Sequence, residues 1–286
     1  MEITAELVKT LRDKTNCGFM DCKKALRETG GDLEKATTYL RQKGLAVAHK
    51  RAERATSEGT VWAYVTTSAD TGVLLEVNCE SDFVAKTQAF QDFGARLAEH
   101  LAQATPRDLA ELLTLPMPGQ PGKTVGDYLT ELIGQVGENI RVARFARYAG
   151  EGLVAAYIHF GGRIGVLLEL AGAPAPPEAL TAAKDLAMQV AATNPVTVSR
   201  EDLSPELVAK EAAIYQTQAQ ESGKPEKIIE KMVAGRLEKF YQEVCLLEQP
   251  FVKNPDLTVA QYLKEVAGKL GRELKVRRFA RFQVGA

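Results

Sequence analysis

Long hydrophobic runs are missing from this 286-residue chain: no apolar stretch approaches the roughly 20 residues needed to cross a bilayer. The opening segment, MEITAELVKTL, is amphipathic and acidic from its second residue, without the apolar core of a secretion signal or the Arg/Ser bias of a transit peptide. Cysteine is sparse and unpaired. Cys17, Cys22, Cys79 and Cys245 are scattered and form no CxxC, which fits a reduced cytosolic protein better than a disulfide framework or a zinc site. An excess of either charge is also lacking: 36 Lys and Arg face 37 Asp and Glu, so no net field draws the chain to nucleic acid or an anionic membrane. The three histidines are far apart, and neither a GxSxG elbow nor metal-spaced ligands accompany them. Gly122-Lys123-Thr124 resembles the end of a phosphate-binding loop, but that loop requires glycine where Met117 stands, and the surrounding LPMPGQPGKT follows no strand. No catalytic constellation, cofactor or metal site is expected.

What is present is an ordinary globular composition, 45% apolar and 26% charged, on a chain long enough for two or three domains. A soluble cytoplasmic protein is expected. Residues 1–45 predict a compact three-helix head. Leu7, Val8 and Leu11 give a first apolar stripe broken at 16–18, and Met20, Ala25 and Leu26 lie on a second short helix ending at Gly30-Gly31. Asp32 then stands where an N-cap belongs, and Leu33, Ala36 and Leu40 follow at helical spacing until Gly44 closes the helix. Residues 46–58 are polar and basic, suited to a linker or a solvated helix.

The remainder contains an internal repeat. Residues 59–77 (GTVWAYVTTSADTGVLLEV) align without gaps on 152–170 (GLVAAYIHFGGRIGVLLEL), with nine of nineteen positions identical. Residues 124–148 align on 258–282 with twelve of twenty-five identical, ending in VARFARY and VRRFARF. Chance would supply one or two matches in each case. Each copy predicts a hairpin turning at 68–71 or 161–163, then a helix carrying Phe90, Phe93 and Leu97 or Leu180, Leu186 and Val190. A further helix follows (Tyr128, Leu129, Leu132; Tyr262, Leu263, Val266), and a closing strand over 140–148 or 274–282 completes the unit. Strands with helices alongside, lacking regular βαβ alternation, indicate an α+β fold with antiparallel sheets. The expected subdomains are 59–149 and 150–286.

The second offset exceeds the first, so copy two carries an insertion at about 199–245. Ser204-Pro205 opens one helix, striped by Val208, Ala212, Tyr215 and Ala219 and ended by Gly223. Pro225 opens another, with Ile228, Ile229, Met232, Phe240 and Val244 as the facing stripe. The pair predicts a protruding helical hairpin, read either as a stabilising arm or as one that touches a partner.

Duplication supplies an internal control: positions that carry the fold should agree, and a function held by one copy should show as a local departure. The largest departure follows the GVLLE block. Copy one continues NCESDFVAK, and copy two runs into the proline-rich GAPAPP. In copy one a strand enters a helix through a tight polar turn with Ser81 or Asp82 at the N-cap. Spacing leaves two readings: Asp82 a plain cap with Phe83 packed back on the sheet, or both residues on a projecting tip.

The segment NCESDFVAK resembles the NC-x-[ST]-DFVAK signature of the elongation factor Ts family. The head, in VKTLRDKTNCGFMDCKKALRETGGDLEKA, is similar to that family's N-terminal module, a UBA-like three-helix bundle, and departs from it at Asn16-Cys17-Gly18-Phe19. GENIRVARF, the stretch around His159, SGKPEKIIEKMVAGRLEKF and LLEQPFV extend the resemblance over nearly the whole chain. The chain ends at Ala286 without the extra C-terminal helical module of some members, so contacts made by that module are not expected. The resemblance implies a guanine-nucleotide exchange factor without bond chemistry, whose partner is the GTPase elongation factor Tu in its nucleotide-free or GDP form. It implies that Ser81, Asp82, Phe83 and Val84 form the exchange tip, with Phe83 wedged between partner side chains and Asp82 perturbing the partner's magnesium site. It further implies partner contacts at Arg12, Phe19, Met20, Asn78, Gly137, Glu138, Asn139, Ile140 and His159. For Met20 the residues alone equally suit core packing, and a lone strand histidine such as His159 more often has a structural role. No direct nucleic-acid or membrane contact is implied, and room is left for a homodimer of complexes.

An RNA- or tRNA-binding accessory protein is the alternative. Arg141, Arg144 and Arg147, with Lys275, Arg277, Arg278 and Arg281, sit among aromatics on the closing strands. Near-neutral charge and repetition in both copies favour solvated strand faces or an acidic protein partner.

Overall fold

The structure, a computed structural model, describes residues 3–15, 17–172 and 176–286. The apolar stripes of the first segment become helices α1 (Ala5–Thr15), α2 (Phe19–Glu28) and α3 (Leu33–Arg51), which enclose Val8, Leu11, Cys22, Ala25, Leu26, Ala36 and Leu40. Asp32 caps α3 as its position predicts, its Oδ1 accepting the N–H groups of Glu34 and Lys35 at 3.0 Å each. Asn16, part of the expected break after α1, lies outside the described residues.

Strands β1 (Glu58–Val65) and β2 (Thr71–Cys79) form a hairpin that leads into a one-turn helix, α4 (Asp82–Ala85). Helices α5 (Gln88–Gln103), α6 (Leu109–Thr114) and α7 (Val125–Val136) precede β3 (Ile140–Ala149), which pairs antiparallel with β2. A second hairpin, β4 (Leu153–His159) and β5 (Ile164–Ala171), leads to α8 (Pro177–Thr193) and a helical hairpin, α9 (Pro205–Gln220) with α10 (Glu226–Val244). Two short strands, β6 (Pro250–Phe251) and β7 (Asn254–Thr258), precede α11 (Val259–Leu270) and β8 (Lys275–Gln283), which pairs with β5. The GVLLE block is thus the middle strand of each three-stranded sheet, β1-β2-β3 and β4-β5-β8. The pairing shifts register beside Glu76 in one sheet and beside Glu169 in the other. The fold is mixed α/β with eleven α-helices among the described residues and small antiparallel sheets, in line with the expected α+β class. Of the proline-rich continuation of copy two, 173–175 lie outside the described residues.

Side-chain alternation assigns each middle strand two jobs. Val73, Leu75 and Val77 face Phe90, Phe93 and Leu97 of α5, and Val166 and Leu168 face Leu186 and Val190 of α8. Leu74 and Leu167 face the other way and meet in the seam between sheets, with Val61, Tyr148, Val154, Phe282 and Val284. The layers run helix, sheet, sheet, helix. Contacts across the seam are reciprocal. A Cβ on Gly72 would lie 2.5 Å from Val154 Cγ1 and 2.9 Å from Leu167 Cδ1, and one on Gly165 would lie 2.5 Å from Val61 Cγ1 and 2.9 Å from Leu74 Cδ1. Arg144 Nε donates to Glu76 at 2.7 Å while its guanidinium covers Phe282 at 4.6 Å; Arg278 Nε donates to Glu169 at 2.6 Å and covers Tyr148 at 4.1 Å.

Two sequence expectations are corrected. Gly44 does not close α3: the helix continues to Arg51, and Gly44 is buried where α3 crosses α7 with the backbones in contact. Its missing side chain serves a helix crossing rather than a cap. Ile228 is exposed, not part of the stripe facing α9, because the buried position next to it on α10 is taken by Ile229.

The head is fastened at that crossing. A Cβ on Gly134 would lie 2.8 Å from Gly44 Cα, Gln135 Nε2 donates to Thr15 O at 2.9 Å, and Arg41 pairs with Asp127 at 3.0 Å. The substitution Gly134→Ala meets backbone rather than a movable side-chain end, so it should cost about 1–3 kcal/mol by overpacking. Amide exchange measured by mass spectrometry should rise in the head and α3 while β2 and β5 keep their protection.

Candidate functional site

The tip is built at the end of β2. Cys79 is buried, its thiol donates to Ser81 O at 3.1 Å, and burial pushes its pKa up to about 12, so it stays a neutral structural thiol. The chain then turns through Glu80 and Ser81 into α4. Ser81 is the N-cap, its Oγ accepting the Val84 N–H at 3.4 Å, and Asp82 occupies the first helical position. Val84 and Ala85 point into the core of the first sheet. Phe83, one position before Val84, points out and is 79% exposed. The reading that packs Phe83 back on the sheet is corrected: a single helical turn with Val84 and Ala85 anchored inward has no apolar surface left for it.

A helix of four residues cannot hold itself, since nucleation costs more than so few hydrogen bonds return. The tip is held instead by the segment after α7. Gly137 ends α7 in a left-handed conformation (φ 75°), which turns the chain toward β2. Glu138 Oε2 then accepts the Ser81 N–H at 3.0 Å and Oε1 accepts the Ser81 hydroxyl at 2.7 Å. The neighbouring Glu80 carboxylate accepts the Asn139 N–H at 2.6 Å and pairs with Arg54 at 3.1 Å and Arg51 at 3.5 Å. The Asn139 backbone N–H, with the two guanidiniums adding, holds the Glu80 carboxyl below the usual carboxylate range. The Asn139 amide donates to Arg54 O at 2.9 Å and Ala52 O at 3.3 Å, and Asn78 donates to Thr56 O at 3.2 Å.

Ser81, Glu138, Asn139 and Asn78 therefore come together, but as a frame. Asn78, Asn139 and Ile140 are buried, whereas the expected contact residues of the head are exposed. The side-chain NH2 groups of Asn78 and Asn139 donate to backbone carbonyls of 52–56. Asn78 Oδ1 is buried without a hydrogen-bond partner among the described residues, and Ile140 packs in the core of the first sheet.

Asp82 remains at the surface, hydrogen-bonded to Lys86 at 2.6 Å; that bond keeps its carboxyl below the usual range, hence ionised. Arg12, Phe19 and Met20 lie exposed on the head, so core packing is not Met20's role. No hydrogen bond among the described residues joins them to the tip. His159 ends β4, its Nδ1 2.9 Å from Tyr157 Oη and its ring 4.0 Å from that of Phe160. Sequence reasoning missed Glu80, whose signal was an acid flanked in space by the basic KRAER stretch. It also missed Phe160, a bulky residue placed in a hairpin turn where glycines follow.

Most basic residues of the closing strands are engaged within the chain. Arg144 holds Glu76, Arg277 and Arg278 hold Glu169, and Lys275 pairs with Glu273. Arg147 donates to the Leu101 and Ala102 carbonyls at the end of α5. The nucleic-acid reading is not favoured. Lys123, of the loop that resembles a phosphate-binding loop, pairs with Glu131, and Thr124 caps α7. No described helix is long and apolar enough to cross a membrane.

A family model described as elongation factor TS matches residues 80–286. The chain is 46% identical to elongation factor Ts of Trichlorobacter lovleyi over the whole of this chain and 93% of that protein. It is 48% identical to elongation factor Ts of Clostridium perfringens over 99% of this chain and 93% of that one. With elongation factor Ts of Syntrophotalea carbinolica the identity is 46%, over 100% of this chain and 94% of the relative. With a match of this identity running the length of the chain, the protein belongs to the elongation factor Ts family.

Proposed function

We propose that the chain is a guanine-nucleotide exchange factor for elongation factor Tu, acting in the cytoplasm during translation elongation by perturbing the partner's magnesium and phosphate site. The observation that carries this reading is Phe83: a large apolar side chain, 79% exposed, standing on a helical turn that is braced from behind. An exchange factor breaks no covalent bond. It binds the nucleotide-free partner more tightly than the loaded one, and by linkage weakens nucleotide affinity by the same factor. About 3 kcal/mol of such coupling is roughly two orders of magnitude. Phe83 supplies a rigid wedge with little rotamer entropy to lose. Asp82, ionised beside it, supplies a charge able to disturb a hydrated magnesium ion, which is held through few protein ligands. In this reading residues 59–149 carry the tip, and the head (1–45) and second unit (150–286) position it. Arg12, Phe19 and Met20 give the head its own contact.

The substitution Phe83→Ala should slow factor-stimulated release of a fluorescent GDP from elongation factor Tu by about tenfold or more at saturating factor. Release at the parent's rate would sink the role of the tip. Glu138→Ala removes both acceptors of Ser81 and frees the turn that carries Phe83 while leaving the Phe83 side chain itself unaltered. It should slow release several-fold, lower stability by about 1–2 kcal/mol, and raise amide exchange across 80–86.

A further inference from the structure

The turn between β4 and β5 has a feature that its local role leaves unexplained. Phe160, Gly161 and Gly162 carry consecutive positive φ angles of 50°, 61° and 97°. Glycine takes such angles freely, whereas a bulky side chain is strained there, so Phe160 is held at a cost to the fold. Its side chain returns little of that cost through burial: it is 74% exposed, touching the His159 ring. Ile158, two residues earlier on the edge strand, is also exposed.

The turn is tied to the end of the first sheet that bears the tip. Gly162 lies against β1, where a Cβ would come 2.4 Å from Thr60 Cγ2, and Arg163 pairs with Glu58 at the start of that strand. Thr60 Oγ1 accepts from Gln91 Nε2 at 3.3 Å, and the same nitrogen donates to Ala85 O of α4 at 2.6 Å. Glu58 in turn pairs with Cys79, where β2 gives way to the tip. Two exposed phenyl rings, Phe83 and Phe160, thus stand on segments fixed to either side of one strand end. We propose that Phe160 is a second contact with the partner that Phe83 engages, elongation factor Tu, and sets affinity where Phe83 sets the rate of nucleotide release. The inference rests on the exchange-factor reading above.

The strain separates this role from a structural one, because removing Phe160 should help the fold and hurt the function. Phe160→Gly in the full chain should raise the melting temperature by about 2 °C. It should also raise the factor concentration that gives half-maximal GDP release from elongation factor Tu by about tenfold, leaving the saturated rate within twofold of the parent's. An unchanged half-maximal concentration, with parent and Phe83→Ala behaving as expected, overturns the role of Phe160 alone. Weaker binding accompanied by a lower melting temperature also overturns it, since the residue would then act through the fold. A parent protein that releases no GDP overturns the exchange reading itself.

Discussion

The seam between the two sheets is the constraint on which the rest depends. Gly72 and Gly165 let the middle strands approach until each rests on aliphatic side chains of the opposite sheet. Two carboxylates, Glu76 and Glu169, are buried beside that seam, and an unpaired buried charge would cost several kcal/mol. Each is met by an arginine of its own sheet whose guanidinium lies over an aromatic ring of the other. The ion pair inside one sheet therefore works as a clamp on its neighbour. Separating the sheets would strip the apolar cover from both pairs at once. The seam also fixes what stands at its end, since it brings the β4–β5 turn against the first residues of β1, beside the tip.

The same seam explains why the two units divide their work. Both present a hairpin and a covering helix, but at the end of β2 the chain spends its next residues on α4, framed by Glu80, Glu138 and Asn139. The other unit spends its extra residues on the α9–α10 hairpin, rooted by Leu203, Phe240 and Cys245. A departure from a repeated frame costs little when the frame is already closed elsewhere, so each unit can carry a different extension.

Much of this was legible in the sequence where the signal is local. Asp32 before an apolar period is a cap, and the GVLLE block is a strand. Ser81 at the head of DFVA is one of the two caps its spacing allowed, and the succession of hairpin, helices and closing strand is read from both copies. Legibility failed where two structures share one local pattern. A glycine after a helical stripe reads as a stop, yet Gly44 is a crossing point, and only Gly134, far along the chain, distinguishes the two. Phe83 in a first turn reads equally as core or tip, because the direction of α4 is set by Glu138 rather than by its neighbours. Family motifs blurred a different line. Asn78, Asn139 and Ile140 belong to the segments that define the tip, and their side chains build its frame from inside.

Under the proposed exchange function, which works by differential binding, the division between frame and tip has a physical logic. Whatever is ordered before the partner arrives need not be ordered at its expense, so a braced α4 preserves binding energy for the contact itself. The frame bonds are half-buried. The Asp82–Lys86 pair is different: both side chains are largely solvent-exposed, and such pairs contribute little to stability. Asp82 can therefore leave Lys86 for another cation at small cost, and the lysine's hydrogen bond has meanwhile kept the carboxyl ionised. The tip thus combines a ring that needs no reorganisation with a charge held loosely enough to be redirected. A more tightly held carboxylate, of the kind the buried Glu169 is, would have to give up two arginine partners before it could act on anything outside the chain.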